Sequence, residues 1–220
     1  MIVITGASDG LGLQLAKLYK EAGKTVVNIS RRECQYTDHN FLHDLTEGKE
    51  IIGAAQEVMA IDETLEAVIN CAGVFTSQPL GSITEDEIKK TMASNVKATV
   101  LFISELIDRI KKDESDIVNV VSSAGTKATT EYVYGASKWA VRGFTQGLQI
   151  ELKNTSCRVV SFCPRGMDTG LFEKAIDKKV AGQENWMRPE DIAVFMKQIL
   201  DLPKNIEVSE VMINRKSAKA

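Results

Sequence analysis

Ile2-Val3-Ile4-Thr5-Gly6-Ala7-Ser8-Asp9-Gly10-Leu11-Gly12 opens the chain with a short apolar run and a glycine-rich turn. Leu13-Gln14-Leu15-Ala16-Lys17-Leu18-Tyr19 then follows in helical periodicity. Strand, turn and helix in that order suit the pyrophosphate of a dinucleotide. Glycines let the backbone come close, and free N–H groups at the helix start hold anionic oxygen. A plain tight turn is the alternative. Val26-Val27-Asn28-Ile29, after Gly23, supplies a second buried strand, so the unit reads as β-α-β, the setting such a turn requires.

The end of that second strand bears on which dinucleotide is bound. An acidic residue there would bond an adenosine ribose hydroxyl, whereas arginine accommodates a 2′-phosphate. The sequence reads Ser30-Arg31-Arg32, with Glu33 only afterwards, which favours NADP(H) over NAD(H). Solvated arginines are the other reading.

Five further strands follow. Phe41–Leu45 ends a third, reached by a connection too short for an ordinary parallel crossover, so one sheet edge is expected to be thinly covered. Glu66–Asn70 is the fourth, after a helix from about Thr46 to Met59, and leads into Cys71-Ala72-Gly73. Thr84-Glu85-Asp86-Glu87 is a capping box starting a helix to about Lys111, with Ser94-Asn95 inside it. Either a kink with Asn95 bonded to backbone or a tolerated polar residue accounts for that asparagine. Ile117–Val121 is the fifth strand, and Ser122-Ser123-Ala124-Gly125 follows at its carboxyl end, where open α/β sheets keep their ligands. Arg158–Cys163 and Val208–Ile213 are the sixth and seventh. Residues 170–187 read as a candidate lid, 215–220 as a frayed tail, and 1–220 as a single domain.

Tyr134-Gly-Ala-Ser-Lys138 begins the helix that continues to Lys153. Residues four apart share a helix face. An ammonium ~4 Å from the phenol would favour phenolate by roughly 4 kcal/mol at an effective dielectric of ~20, which predicts a tyrosine pKa moved towards neutrality. Trp139, Val141, Phe144, Leu148, Ile150 and Leu152 cover more than one face of the helix, which predicts burial against the sheet and against another subunit.

Composition is that of a soluble globule: 220 residues, 44% hydrophobic, 26% charged. A net charge of -3 gives no basis for nucleic acid or an anionic membrane as partner. The apolar start at Met1 predicts no signal or transit peptide, and no apolar run is long enough to span a bilayer. Cys34, Cys71, Cys157 and Cys163 lack Cys-x-x-Cys spacing and read as reduced thiols of a cytoplasmic protein. His39 and His43, the only histidines, read as surface residues, and no metal is expected.

Taken together, Thr5-Gly6-x-x-x-Gly10-x-Gly12, Asn70-x-Ala72-Gly73, Asn95, Ser122 with Gly125, Tyr134-x-x-x-Lys138, and Pro164 with Thr169 resemble the short-chain dehydrogenase/reductase family over essentially the whole chain. The resemblance implies an α/β Rossmann fold, a doubly wound, mainly parallel seven-stranded sheet flanked by helices. It implies hydride transfer between a nicotinamide cofactor and a carbonyl or secondary alcohol, and a homodimer or homotetramer. Tyr134 resembles the family's general acid/base and Ser122 the residue orienting the carbonyl oxygen, with Ser123 a substitute. Lys138 would bond the nicotinamide ribose and Asn95 would hold a relay water. Gly6, Ser8, Asp9, Gly10, Leu11, Gly12, Ser30, Arg31, Asp44, Leu45, Asn70, Ala72, Gly73, Pro164, Met167 and Thr169 match cofactor-lining positions. Arg165 stands where glycine is usual, and is expected to clash with cofactor, turn outward or meet a substrate anion. An NADP-sensing module without turnover, or a dehydratase or epimerase, are the alternative functions.

Overall fold

The computed structural model describes residues 1–172 and 186–216. Seven strands lie side by side, all parallel, in the order β3-β2-β1-β4-β5-β6-β7: β1 Ile2–Thr5, β2 Val26–Ser30, β3 His39–Leu42, β4 Ala67–Asn70, β5 Asp116–Val120, β6 Val159–Pro164 and β7 Glu210–Ile213. The order reverses between β1 and β4, whose ends are level because Thr5 pairs with Asn70. That crevice is where an open α/β sheet binds its ligand.

Alternation along the strands decides the two layers. Val3, Val27, Val68, Ile117 and Val159 face α2 (Gly48–Ala60), α4 (Ala98–Asp113) and α5 (Tyr132–Leu152). Ile4, Val26, Ile69, Val118 and Val160 face α1 (Gly10–Glu21) and α6 (Pro189–Leu200). The strands are apolar on both sides because both sides are covered.

The third strand is shifted from the expected Phe41–Leu45. It begins at His39 and ends at Leu42, because Asp38 turns its carboxylate back to the Val26 N–H and so starts the pairing earlier. Residues 31–38 contain no helix, and Leu42 at this edge is 51% exposed, in keeping with thin cover. The single helix expected from Thr84 to Lys111 is α3 (Glu85–Met92), a π-helical turn over Ala93–Lys97, and α4. Within the chain, one side of α5 is covered. Val141, Leu148 and Leu152 are buried, while Trp139 and Ile150 are 45% and 70% exposed. The expected lid falls mostly, and the tail partly, outside the described residues. No described helix is long and apolar enough to cross a membrane. Among the described residues no metal-binding cluster of His, Cys, Asp or Glu is found.

At the floor of the sheet, away from that crevice, Arg158 and Asp116 are buried together, with Arg158 Nη2 2.6 Å from Asp116 Oδ2. The guanidinium also donates to the Leu200 and Leu202 carbonyls, so this buried charge is fully bonded.

His43 is more than a surface residue. Its ring lies across α2, with Nδ1 2.7 Å from Glu50 Oε2 and Nε2 2.7 Å from Glu57 Oε2. A neutral imidazole has one N–H, so only the imidazolium donates to both. Burial pulls its pKa down, but the two glutamates outweigh burial and the net shift is upward. The contact therefore stabilises the fold fully below the ordinary value of 6.5 and is lost as pH rises through the folded pKa. We expect His43→Gln to lower the melting temperature at about pH 6 and to change it little at about pH 9, measured by thermal unfolding. An equal drop at both values would remove the imidazolium from the account.

Candidate active site

The turn after β1 is shaped by two glycines. Gly6 has φ +74, and a Cβ there would sit 3.0 Å from the Ala72 backbone N and Cα. A Cβ on Gly12 would sit 2.4 Å from the Gly6 carbonyl oxygen. No side chain fits at either place, so the backbone stays bare where β1 meets the 12-residue helix α1. Asp9 caps that helix, its Oδ1 accepting from the Gly10 N–H at 2.8 Å. A bare turn at a helix N-terminus fits the pyrophosphate of a dinucleotide.

From this turn a cleft of about 1050 Å³ extends both ways along the sheet edge. It is lined by Gly6, Ser8, Asp9, Gly10, Leu11, Gly12, Ser30, Arg31, Asp44, Leu45, Ala72, Gly73, Ser122, Tyr134, Lys138, Pro164, Met167 and Thr169, all singled out from the sequence. At one end stands Arg31, which makes no ion pair among the described residues. Its neighbour Arg32 reaches Asp9 at 3.2 Å. Asp44 is held ionised chiefly by the Thr46 N–H and hydroxyl, with the Arg31 charge helping.

At the other end the β5–α5 connection brings Ser122 to Tyr134. Ser122 has φ +153 and ψ 159, a conformation that costs a non-glycine residue about 1–3 kcal/mol. Its Oγ accepts from the Ala124 N–H at 3.2 Å, and the hydroxyl stands near enough to the Tyr134 phenol to favour phenolate. Ser122, and not Ser123, lines the cleft. Tyr134 is 5% exposed, its ring edge-on to Phe75 at 4.9 Å.

Lys138 departs from the simple picture of an ammonium beside the phenol oxygen. Its Nζ donates to the Val120 carbonyl at 2.9 Å and lies 5.7 Å from the Tyr134 ring centroid. The predicted fall in the tyrosine's pKa is therefore reversed. Burial pushes Tyr134 up to about 12, against the influence of the Ser122 hydroxyl and aided by the Glu131 charge. Burial likewise pulls Lys138 down to about 8. Desolvation outweighs a charge that faces the ring and not the hydroxyl.

Two expected site residues do not line the cleft. Asn95 is 1% exposed: Oδ1 accepts from the Val74 N–H at 2.8 Å, and Nδ2 donates to the Val74 carbonyl at 3.0 Å and the Ser137 hydroxyl at 2.9 Å. Its side chain clamps the loop after β4 to α5, and the π-helical turn aims it there. Asn70 also turns inward, donating to Asn119 Oδ1 at 2.8 Å across the β4–β5 pair. Residues the sequence reading did not assign to the cleft include Arg32, Phe75 and Lys90. Arg32 and Phe75 had a local signal, standing beside Arg31 and two past the Ala72-Gly73 pair.

Cradle and hydroxyl corner, joined at the switch point of one parallel sheet, define a protein of Rossmann type. The chain belongs to the short chain dehydrogenase family, a family of oxidoreductases, whose model matches residues 1–180. An uncharacterized oxidoreductase of Staphylococcus epidermidis is 29% identical, over 96% of this chain and 95% of the relative. A short-chain dehydrogenase/reductase from Vibrio parahaemolyticus superposes with a TM-score of 0.84 at 28% identity, covering 99% of this chain and 100% of that one. An alcohol dehydrogenase from the archaeon Thermococcus sibiricus, complexed with 5-hydroxy-NADP, shares the fold with a TM-score of 0.87 at 20% identity, over 100% of this chain and 99% of that one.

Proposed function

We propose that this protein is an NADP(H)-dependent oxidoreductase that interconverts a carbonyl compound and a secondary alcohol. The observation carrying the reading is that the Ser122 and Tyr134 hydroxyls meet in the cleft that also contains the bare β1–α1 turn and Arg31. The turn and the N-terminus of α1 would hold the pyrophosphate, Arg31 the 2′-phosphate and Lys138 the nicotinamide ribose. When bound, the cofactor supplies or takes up a hydride.

Tyr134 gives its phenolic proton to the carbonyl oxygen, and Ser122 donates a hydrogen bond to the same atom. Charge growing on that oxygen in the transition state is thus met by two prepositioned donors in a site largely shielded from water. With its pKa near 12, Tyr134 is in the donor form throughout the usual assay range, which favours reduction near neutrality. Oxidation of the alcohol needs the phenolate and is expected to speed up as pH rises.

The test is turnover of a panel of ketones and aldehydes with NADPH and NADH side by side, with cofactor binding measured by calorimetry. Faster turnover with NADPH is expected. Arg31→Asp is expected to weaken NADPH by about 10- to 100-fold and to spare NADH, the value of a charge-assisted bidentate contact. Binding of NADPH without turnover of any carbonyl would overturn the redox reading. An unchanged cofactor preference in the variant would remove Arg31 from the phosphate site.

A further inference from the structure

Eight arginines occur in the chain. Five reach a carboxylate among the described residues: Arg32 to Asp9, Arg109 to Asp113, Arg142 to Glu210, Arg158 to Asp116 and Arg188 to Asp191. Of the three that reach none there, Arg31 and Arg165 line the cleft, and Arg215 stacks on a ring that packs against Gly166 of its lining. Arg31 lies at its adenosine end, whereas Arg165 lines the cleft beyond β6, with Gly166 and Phe172. The Arg165 backbone N–H is pinned to the Ile213 carbonyl at 2.9 Å, so the start of this side chain is fixed.

Arg215 follows β7 and lays its guanidinium over the Trp186 ring, 4.6 Å from the centroid. Trp186 in turn packs so closely on Gly166 that a Cβ there would fall 2.7 Å from its ring. From Trp186 an unbroken series of ring contacts leads back to the phenol: Phe172 at 4.8 Å, Phe75 at 4.6 Å, then Tyr134 at 4.9 Å. Arg215 is half-buried, and burial first, then the nearby Arg165 charge, lowers its pKa. Two guanidiniums held near each other repel, and a planar oxyanion between them relieves the repulsion with directed hydrogen bonds.

We propose that Arg165 and Arg215 form an anion subsite at the mouth of the substrate pocket, so that the substrate is an oxo acid and the product a hydroxy acid. This inference rests on the redox reading above for its chemistry but not for its binding. In the reaction the carbonyl carbon receives the hydride of the reduced nicotinamide and the carbonyl oxygen receives the Tyr134 proton. The carboxylate is held and unchanged, and the proton on Tyr134 is restored from solvent.

Two measurements test it. In the first, 4-oxopentanoate is compared with its methyl ester, and dihydroxyacetone phosphate with dihydroxyacetone, as substrates with NADPH. The acid is expected to exceed its ester in kcat/KM by about 10- to 100-fold, mostly through KM, and Arg165→Gln is expected to collapse that ratio towards one. A preference for the phosphate pair alone would replace carboxylate by phosphate as the group recognised, overturning the oxo-acid assignment. Equal values for acid and ester in the parent protein, or an unchanged ratio in Arg165→Gln, would also overturn it.

The second measurement needs no turnover. Trp186 fluorescence, in a Trp139→Phe background, is titrated with succinate in the parent protein and in Arg165→Gln and Arg215→Gln. A saturable change weakened at least about tenfold in both variants is expected. Absence of any change, or equal affinity in all three, would sink the subsite whatever the enzyme reduces. Succinate binding alongside failure to turn over any carbonyl would instead refute the redox reading and leave the subsite standing.

Discussion

Tyr134→Phe is expected to lower kcat/KM for carbonyl reduction by about 10³-fold, within the range for losing a positioned general acid. The substitution is close to isosteric. A phenylalanine ring keeps the edge-on contact with Phe75 and the packing on Ala124, so the fold and the β1–α1 cradle stay as they are. What disappears is the proton donor, while the Ser122 Oγ still accepts from the Ala124 N–H. NADPH affinity is therefore expected to change by no more than about threefold, because the cofactor loses no charged contact. Stopped assays with calorimetric binding on the same preparation check both halves. Turnover equal to that of the parent would reject Tyr134 as the acid, and loss of NADPH binding would show that the residue holds the cofactor instead.

Lys138→Met is expected to move activity and stability in opposite directions. Lys138 is 7% exposed, its ammonium is bonded to one carbonyl, and its pKa is pulled down by burial from 10.5 to about 8. Between those values the unfolded chain binds more protons than the folded one, so stability rises with pH there, and at neutral pH the charge destabilises the fold. The shift corresponds to roughly 3 kcal/mol. Removing the charge is expected to raise the melting temperature by about 5 °C while reducing turnover by about 10²- to 10³-fold. In the unsubstituted protein, reduction is expected to decline above pH 8, where the ammonium is lost. A variant that melts lower, or a pH profile flat through that range, would show that the lysine is a structural cation with no part in the chemistry.

Short-range pattern accounts for most of what was legible beforehand. Apolar runs of four to six residues, broken by glycine and by capping residues such as Thr84, mark the strands and helices directly, since strand pleating and helix pitch act over a few positions. The motif spacings worked for the same reason. Gly6 and Gly12 flank one turn, and Tyr134 and Lys138 stand on one helix, so their proximity is a matter of local geometry. The misplaced third strand shows where such signals fail: its start is set by the carboxylate of Asp38 bonding back to β2, a contact between residues twelve apart.

The chain's own letters thus determined the strands and helices, a bare phosphate-sized turn, and a tyrosine and a lysine on one helix, because each depends on periodicity or on spacing within a single element; the doubly wound order and the serine followed from the family resemblance. Only the tertiary structure decided which way the side chains face and what surrounds them. It turned Asn70 and Asn95 inward as fasteners, sent the Lys138 ammonium to a carbonyl, and drove the Tyr134 pKa up. It also stacked Arg215 on Trp186, which packs against Gly166 beside Arg165, fifty residues back in sequence. Burial, and the matching of one charge to another, depend on atoms that are neighbours in space and strangers along the chain.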